Sequence, residues 1–228
     1  MKRFLLVSSI LLLTLLSTGA EAASLIEQSV GVAASLGADV WSTPENVPSG
    51  SNYLGLTGRA AGVGYGLMPY YGLRVYQLFG VEADLSLACG NFNRTDRINP
   101  DSFHRWVSIV SWRLPILATF NIPIDLGRLW LGFGPEFTLA QSSSGSQQAS
   151  TSDYSSPLPT HDVKPIYVTG GFGIVIKGPS KRIEFPIGFR ASRNTSQPSN
   201  YADRTENNSI RAESSWVYRL VAGIGFAF

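Results

Sequence analysis

Two histidines, one cysteine and a set of charged residues at strand spacing are the side chains of this 228-residue chain that could do chemistry. His104 follows Asp101 and Ser102, so an acid, a hydroxyl and an imidazole stand close together in sequence, the ingredients of acyl transfer. That chemistry needs a nucleophile held against its base. His104 and His161 both fall at loops or strand edges, where a solvated imidazole is the plainer reading. Two histidines among scattered acids give no metal-ligand spacing, and neither a metal nor another cofactor is expected. Gly170-Gly171-Phe172-Gly173 lacks a following helix, so it is no phosphate loop. Cys89 has no partner for an internal disulfide and reads as a small hydrophobe. Three Asn-x-Ser/Thr triplets, at Asn93, Asn194 and Asn207, show only that their segments are polar. More informative are Asp39, Arg74, Glu82, Asp84, Arg113, Glu136, Glu184, Arg190 and Arg219. Each sits on the parity opposite to the apolar residues of its segment, and acids and bases are mixed, so they are suited to pairing with one another.

The element that positions such residues is clearest in the last thirteen residues. Counting back by twos from Phe228 gives Phe226, Ile224, Ala222, Leu220, Tyr218 and Trp216; the interleaved set is Ala227, Gly225, Gly223, Val221, Arg219 and Val217. One face is apolar with aromatic ends, the other small with one charge, the pattern of a two-faced strand. From Tyr218 to Phe226 such a strand runs roughly 26 Å, or about 20 Å of height at a tilt of ~40°, close to the ~25 Å apolar band of an outer-membrane barrel.

Seven further segments alternate in the same way. The first covers Ser29 to Trp41. The second carries Ala61, Val63, Tyr65, Leu67, Tyr71, Leu73 and Val75 on one face; Leu54 and Leu56 fall on the other parity, as would an inward Arg59. Either a bulge near Gly62 or Gly64 reconciles them or residues 53–60 are loop. The third places Val81, Ala83, Leu85, Leu87 and Cys89 opposite Glu82, Asp84 and Ser86. The fourth runs from about Phe103 to Asn121, with local distortion expected at Pro115. The remaining three are centred on 129–139, 166–176 and 183–190. The connections alternate long and short: 42–52, 90–102, 141–164 and 193–208 are long and polar, with 141–163 expected to be mobile, whereas 76–79, 122–128 and 177–181 are short. An even strand count with loops long at one end and tight at the other predicts an all-β, eight-stranded antiparallel up-and-down transmembrane β-barrel.

The front of the chain fits that expectation. Met1-Lys2-Arg3, the apolar run Phe4 to Leu16 and Ala20-Glu21-Ala22 form a secretory signal peptide over residues 1–22, followed by one barrel domain over 23–228. Thirteen apolar residues fall short of the ~20 that span a bilayer as a helix. Charged residues are 15% of the chain, below the usual ~25%, and the net charge of +2 offers no grip on nucleic acid. Alternation alone leaves open which face is inside, since a soluble lipocalin-like carrier turns its apolar face inward. The less apolar faces decide it: Gly, Ala, Val and Thr would make a poor water-facing surface, which should be ~25–35% charged. The charged residues then line a lumen narrow enough to be filled by side chains.

Leu129-Trp-Leu-Gly-Phe-Gly-Pro-Glu-Phe, preceded by Arg113-Leu-Pro-Ile-Leu-Ala-Thr-Phe, resembles the strand pair of the small outer-membrane β-barrel domain family, the eight-stranded OmpA/OmpX-like barrels. The resemblance implies a bacterial cell outer membrane, export by the general secretory route, periplasmic termini, and insertion by the barrel-assembly machinery. That machinery would read the C-terminal strand through Tyr218, Leu220, Phe226 and Phe228. His104-Arg105-Trp106 does not match the His-x-Ser-Asn-like arrangement of the lipid-deacylating barrels. The expected function is therefore non-enzymatic: a monomeric, plugged barrel in contact with outer-membrane lipid that displays four extracellular loops for structural, adhesion or ligand-binding roles. A narrow pore for small molecules or ions is the alternative reading, and a soluble carrier the next.

Overall fold

A computed structural model describes residues 25–41, 60–98, 101–149, 155–180, 182–197, 205–206 and 209–228. The expected signal peptide and residues 53–59 lie outside them. The described residues form strands and no helix: β1 (Ile26–Trp41), β2 (Ala60–Val75), β3 (Phe79–Asp84), β4 (Ser86–Ile98), β5 (Asp101–Ile124), β6 (Gly127–Ala149), β7 (Ser155–Leu158), β8 (Thr160–His161), β9 (Ile166–Lys177), β10 (Ile183–Asn194), β11 (Thr205–Glu206), β12 (Ser209–Arg211) and β13 (Trp216–Ala227). β3 and β4 form one stave interrupted at Leu85. The antiparallel ring then runs β1, β2, β3/β4, β5, β6, β9, β10, β13 and back to β1. These are the eight staves of the expected up-and-down barrel. Closure is complete along the seam, where Ser29 pairs with Ala227 and Val40 with Trp216, and Gln28 and Phe228 exchange backbone hydrogen bonds of 3.0 and 2.9 Å. Each of the eight staves thus has a partner on both sides; β7, paired only with β6, and the small β11–β12–β8 sheet are not staves of the ring.

Both ends of the ring share one side with three tight turns, after β2, β5 and β9, while the four other connections lie opposite. The first turn is strained. Tyr76 and Gln77 take φ of 53° and 58°, and Leu78 N donates to Val75 O at 3.2 Å, a type I′ hairpin turn built without glycine or asparagine. Left-handed backbone costs a side-chain-bearing residue roughly 1–2 kcal/mol, partly offset by the entropy a glycine would lose. Gln77→Gly should therefore stabilise the barrel by about 0.5–1 kcal/mol, read as a raised urea midpoint of the refolded protein.

The second strand shows no bulge: β2 pairs with β1 without a register shift from Ala60 to Val75. Parts of two expected loops, 91–98 and 141–149, are in fact strand. β4 continues to Ile98 and pairs with β5 out to Ile98–Asp101, and β6 continues to Ala149 and pairs with β5 out to Phe103–Ala149. β5 has 24 residues and β6 has 23, about twice the ~9–11 that cross a membrane. These hairpins rise well past the apolar band, where the outward side chains turn polar and the apolar-outside pattern disappears.

Expected distortion near Pro115 is present in two forms. By the register of β3 and β4 against β5, Asp84 and Leu85 face Pro115 and Leu114, and the ladder is interrupted there; a proline has no N–H to give it. Beside it, Trp112 pairs with Ala140 but Arg113 pairs with Thr138, so Leu139 is an extra residue on β6. This bulge reverses the facing of β6, and Leu139 and Ala140 are both exposed.

Below the bulge the outer face of β6 carries Leu129, Leu131, Phe133, Phe137 and Leu139, all exposed. Ten residue steps give ~33 Å along the strand and ~25 Å of height at ~40° tilt. Val63, Tyr65, Leu67, Phe172, Ile187, Leu220 and Ile224 continue this belt around the ring. Serine, glycine and ionic side chains face inward, the arrangement of a barrel whose outer solvent is hydrocarbon.

Candidate functional site

The inward charged residues read from the sequence fall in four layers, each built by residues of different staves; Arg105 and Glu213 lie buried beyond them, Glu213 paired with the half-buried Arg211. Nearest the tight turns, Glu184 of β10 is fully buried between Arg128 of β6, which forks onto both its carboxylate oxygens, and Arg74 of β2 at 3.3 Å. Arg74 also reaches Glu27 of β1 at 3.1 Å, and Lys177 lies 3.8 Å from the same carboxylate. In the next layer Arg190 is forked between Asp84 and Glu82, with its guanidinium 5.8 Å from the ring centre of Trp130. Above it Arg113 meets Glu136 at 3.2 Å, donates to Ser111 at 2.9 Å and lies 4.8 Å over the Tyr167 ring. The other oxygen of Glu136 accepts from Thr169 and Ser192 at 2.7 and 2.9 Å. In the fourth layer one nitrogen of Arg219 spans both oxygens of Asp39 at 2.9 and 3.0 Å.

All nine charged residues singled out from the sequence thus point into the lumen, in four groups rather than one network. Glu27, Arg128 and Lys177 join them, although the strand limits drawn from the sequence left these three in connections or at strand ends. Extending the alternation by one or two residues at each tight-turn end would have found them.

Glycines make the room. A Cβ on Gly64 would meet Asp39 Oδ2 at 2.2 Å and the Arg219 guanidinium at 2.4 Å, and one on Gly90 would meet Asp39 Oδ2 at 2.4 Å. Gly64→Val should therefore break the Asp39–Arg219 pair and destabilise the barrel by about 1–3 kcal/mol. The heat-shifted gel mobility of the folded form would be lost at a lower temperature than in wild type.

Toward the end opposite the tight turns, apolar side chains pack together inside the ring. Trp41, Ala60, Phe92, Val107, Ile109, Leu158 and Ala212 pack in one buried cluster. The segment Ala212–Ser215 is buried with it and is held by Ser215 N to Val40 O at 2.7 Å and Asn194 Nδ2 to Glu213 Oε2 at 3.0 Å. Sequence reading missed this cap, because Phe92 lay in an expected loop and the interior was read as small and ionic. Between the two lower ionic layers remains a cavity of about 30 Å³ lined by Tyr70, Arg74, Thr119, Asn121, Trp130 and Arg190, enough for a water or two.

The lumen is arranged to pair charges and fill space. His104 faces outward on β5, and among the described residues no three His, Cys, Asp or Glu side chains are grouped to hold a metal. Tyr218, Leu220 and Phe226 face outward on β13 with Phe228 just beyond it. The rings of Trp216 and Tyr218 stack at 5.9 Å, and those of Phe226 and Phe228 at 6.4 Å.

No protein-family model matches the chain, and no curated protein sequence matches it. Among solved structures it is similar to the attachment invasion locus protein Ail of Yersinia pestis in complex with the heparin analogue sucrose octasulfate. That match has a TM-score of 0.42 and 11% identity over 90% of this chain and all of the other. It is also similar to Neisserial surface protein A, with a TM-score of 0.38 and 15% identity over 91% of this chain and all of that one. The closed ring and its two faces are read from this chain's own pairing and burial.

Proposed function

We propose that this chain is a non-enzymatic integral barrel of a bacterial outer membrane, sealed along its axis, that holds a folded platform of extended hairpins outside the cell. The observation that carries the reading is the exposed belt of Leu, Ile, Val and Phe around a closed ring whose charges are turned inward. A soluble carrier would expose that belt to water, far beyond the few hundred Å² of contiguous apolar surface such proteins tolerate. The side-chain-filled lumen and the Trp41–Phe92–Leu158 cap support a plug over a pore. Export through residues 1–22, periplasmic termini, a monomeric state and insertion by the barrel-assembly machinery through Tyr218, Leu220, Phe226 and Phe228 belong to the same reading.

The test is fractionation of cells expressing the full chain, followed by gel mobility with and without boiling. A protein that stays with membranes in alkaline urea and shifts on boiling supports the barrel. Release as a soluble protein overturns it. In planar bilayers the purified protein should show no steady conductance, and a stable open channel would replace the plug with the pore.

A further inference from the structure

The hairpins above the belt carry a surface for which the sealed lumen gives no reason. On their outer face three strands lie side by side in register: Asn91, Ser108 and Ser144 form one row, and Asn93, Trp106 and Ser146 the next. Trp106 is thus the centre of a field of Asn and Ser side chains, with 40% of its surface exposed and with His104 and Gln148 in the row above it. It stands four residues beyond Val110, roughly 10 Å above the belt by strand rise and tilt, so lipid does not explain its exposure. No ring or cation stacks on its indole among the described residues. Ser108 Oγ donates to Asn91 Oδ1 at 2.7 Å, and Asn91 Nδ2 donates to Val63 O at 3.4 Å, which holds that amide in place in the row below Trp106. The outward side chains of 91–93, 104–110 and 142–148 include no Lys, Arg, Asp or Glu.

We infer that this face of β4, β5 and β6 binds a neutral saccharide. The indole's electron-rich face attracts the weakly positive C–H groups on one side of a pyranose ring. The flanking amides and hydroxyls supply the mixed donors and acceptors that sugar hydroxyls require. Among the described residues a polyanionic glycan would find no Lys or Arg on this outer field and only the His104 imidazole at its upper edge, and a protein partner would be expected to need a larger apolar centre. The inference rests on the barrel reading, since it needs the hairpins outside the membrane.

The experiment is binding of the full chain, folded in nanodiscs, to immobilised neutral hexose and N-acetylhexosamine oligosaccharides. One arm carries neutral chains stripped from the producing bacterium, another neutral glycans of foreign cells, and a third sulfated or sialylated glycans. Binding in either neutral arm, insensitive to salt, is expected; Trp106→Ala should weaken it about tenfold or more, and Trp106→Phe should retain most of it. Boiling-dependent mobility of each variant establishes folding. Failure to insert into nanodiscs defeats the barrel reading with no sugar present. Normal insertion overturns this inference if no neutral glycan binds, if only the anionic arm binds with steep salt dependence, or if Trp106→Ala binds as wild type.

Discussion

Glu184→Gln should cost the barrel about 3–5 kcal/mol, the largest effect expected from any single uncharged replacement in the lumen. Its carboxylate is fully buried and is shared by Arg128 and Arg74. An amide of the same shape leaves two guanidinium groups facing each other with one formal charge fewer to balance them. Glu27 still touches Arg74, but Arg128 has no second acid within ion-pair distance among the described residues. The pair's own net contribution is smaller than this loss, because forming it already required two desolvations; the penalty is that of a charge stranded in a narrow lumen. Urea titration of the refolded protein in micelles, followed by tryptophan emission, measures it. The double replacement Glu184→Gln with Arg128→Met should recover a large part of the loss, whereas a cost no greater than ~1 kcal/mol for the single change would mean that the layer is open to water.

The second large effect separates hydrocarbon from water at the outer face. Phe133 is 64% exposed and sits near mid-height of the belt, paired with Ala118 and Gly170. An arginine there should cost about 2–4 kcal/mol in a bilayer. The same change at Ser144, on the same strand above the bulge, should cost less than about 0.5 kcal/mol, as for an ordinary aqueous surface site. Unfolding of both variants in lipid vesicles gives the comparison. Equal, small costs at the two sites would place Phe133 in water and remove the membrane from the account.

The staves were legible because an apolar outer face and a small or ionic inner face put opposite residue types at alternate positions. Val81, Ala83, Leu85, Leu87 and Cys89 against Glu82, Asp84 and Ser86 show this at its plainest. The same physics explains what was hidden. Beyond the belt, Asn91 to Ile98 and Ser142 to Ala149 hydrogen-bond as strands, but their sequences are rich in Asn, Ser, Gln and charged residues, so little in their composition marks the pairing. The extra residue at Leu139 reverses which parity of β6 points inward; strict alternation would have sent Ser142 and Ser144 into the lumen. Glu27 and Arg128 lay at stave ends, where turn residues and strand residues look alike. The apolar cap is assembled from Trp41, Phe92, Ile109 and Leu158, which stand far apart in sequence, and only the topology brings them together.

The β1–β13 seam has a consequence for how the molecule comes into being. The first and last staves are neighbours, so the final ladder cannot form until the last stave is available, and in the membrane setting proposed above each shorter fragment would present two bare edges to acyl chains that offer no hydrogen bonds. Ring closure therefore follows the end of synthesis: the amino-terminal stave lacks its second partner until the last residues arrive. Loss of even the terminal stave would leave an unsealed sheet rather than a smaller ring.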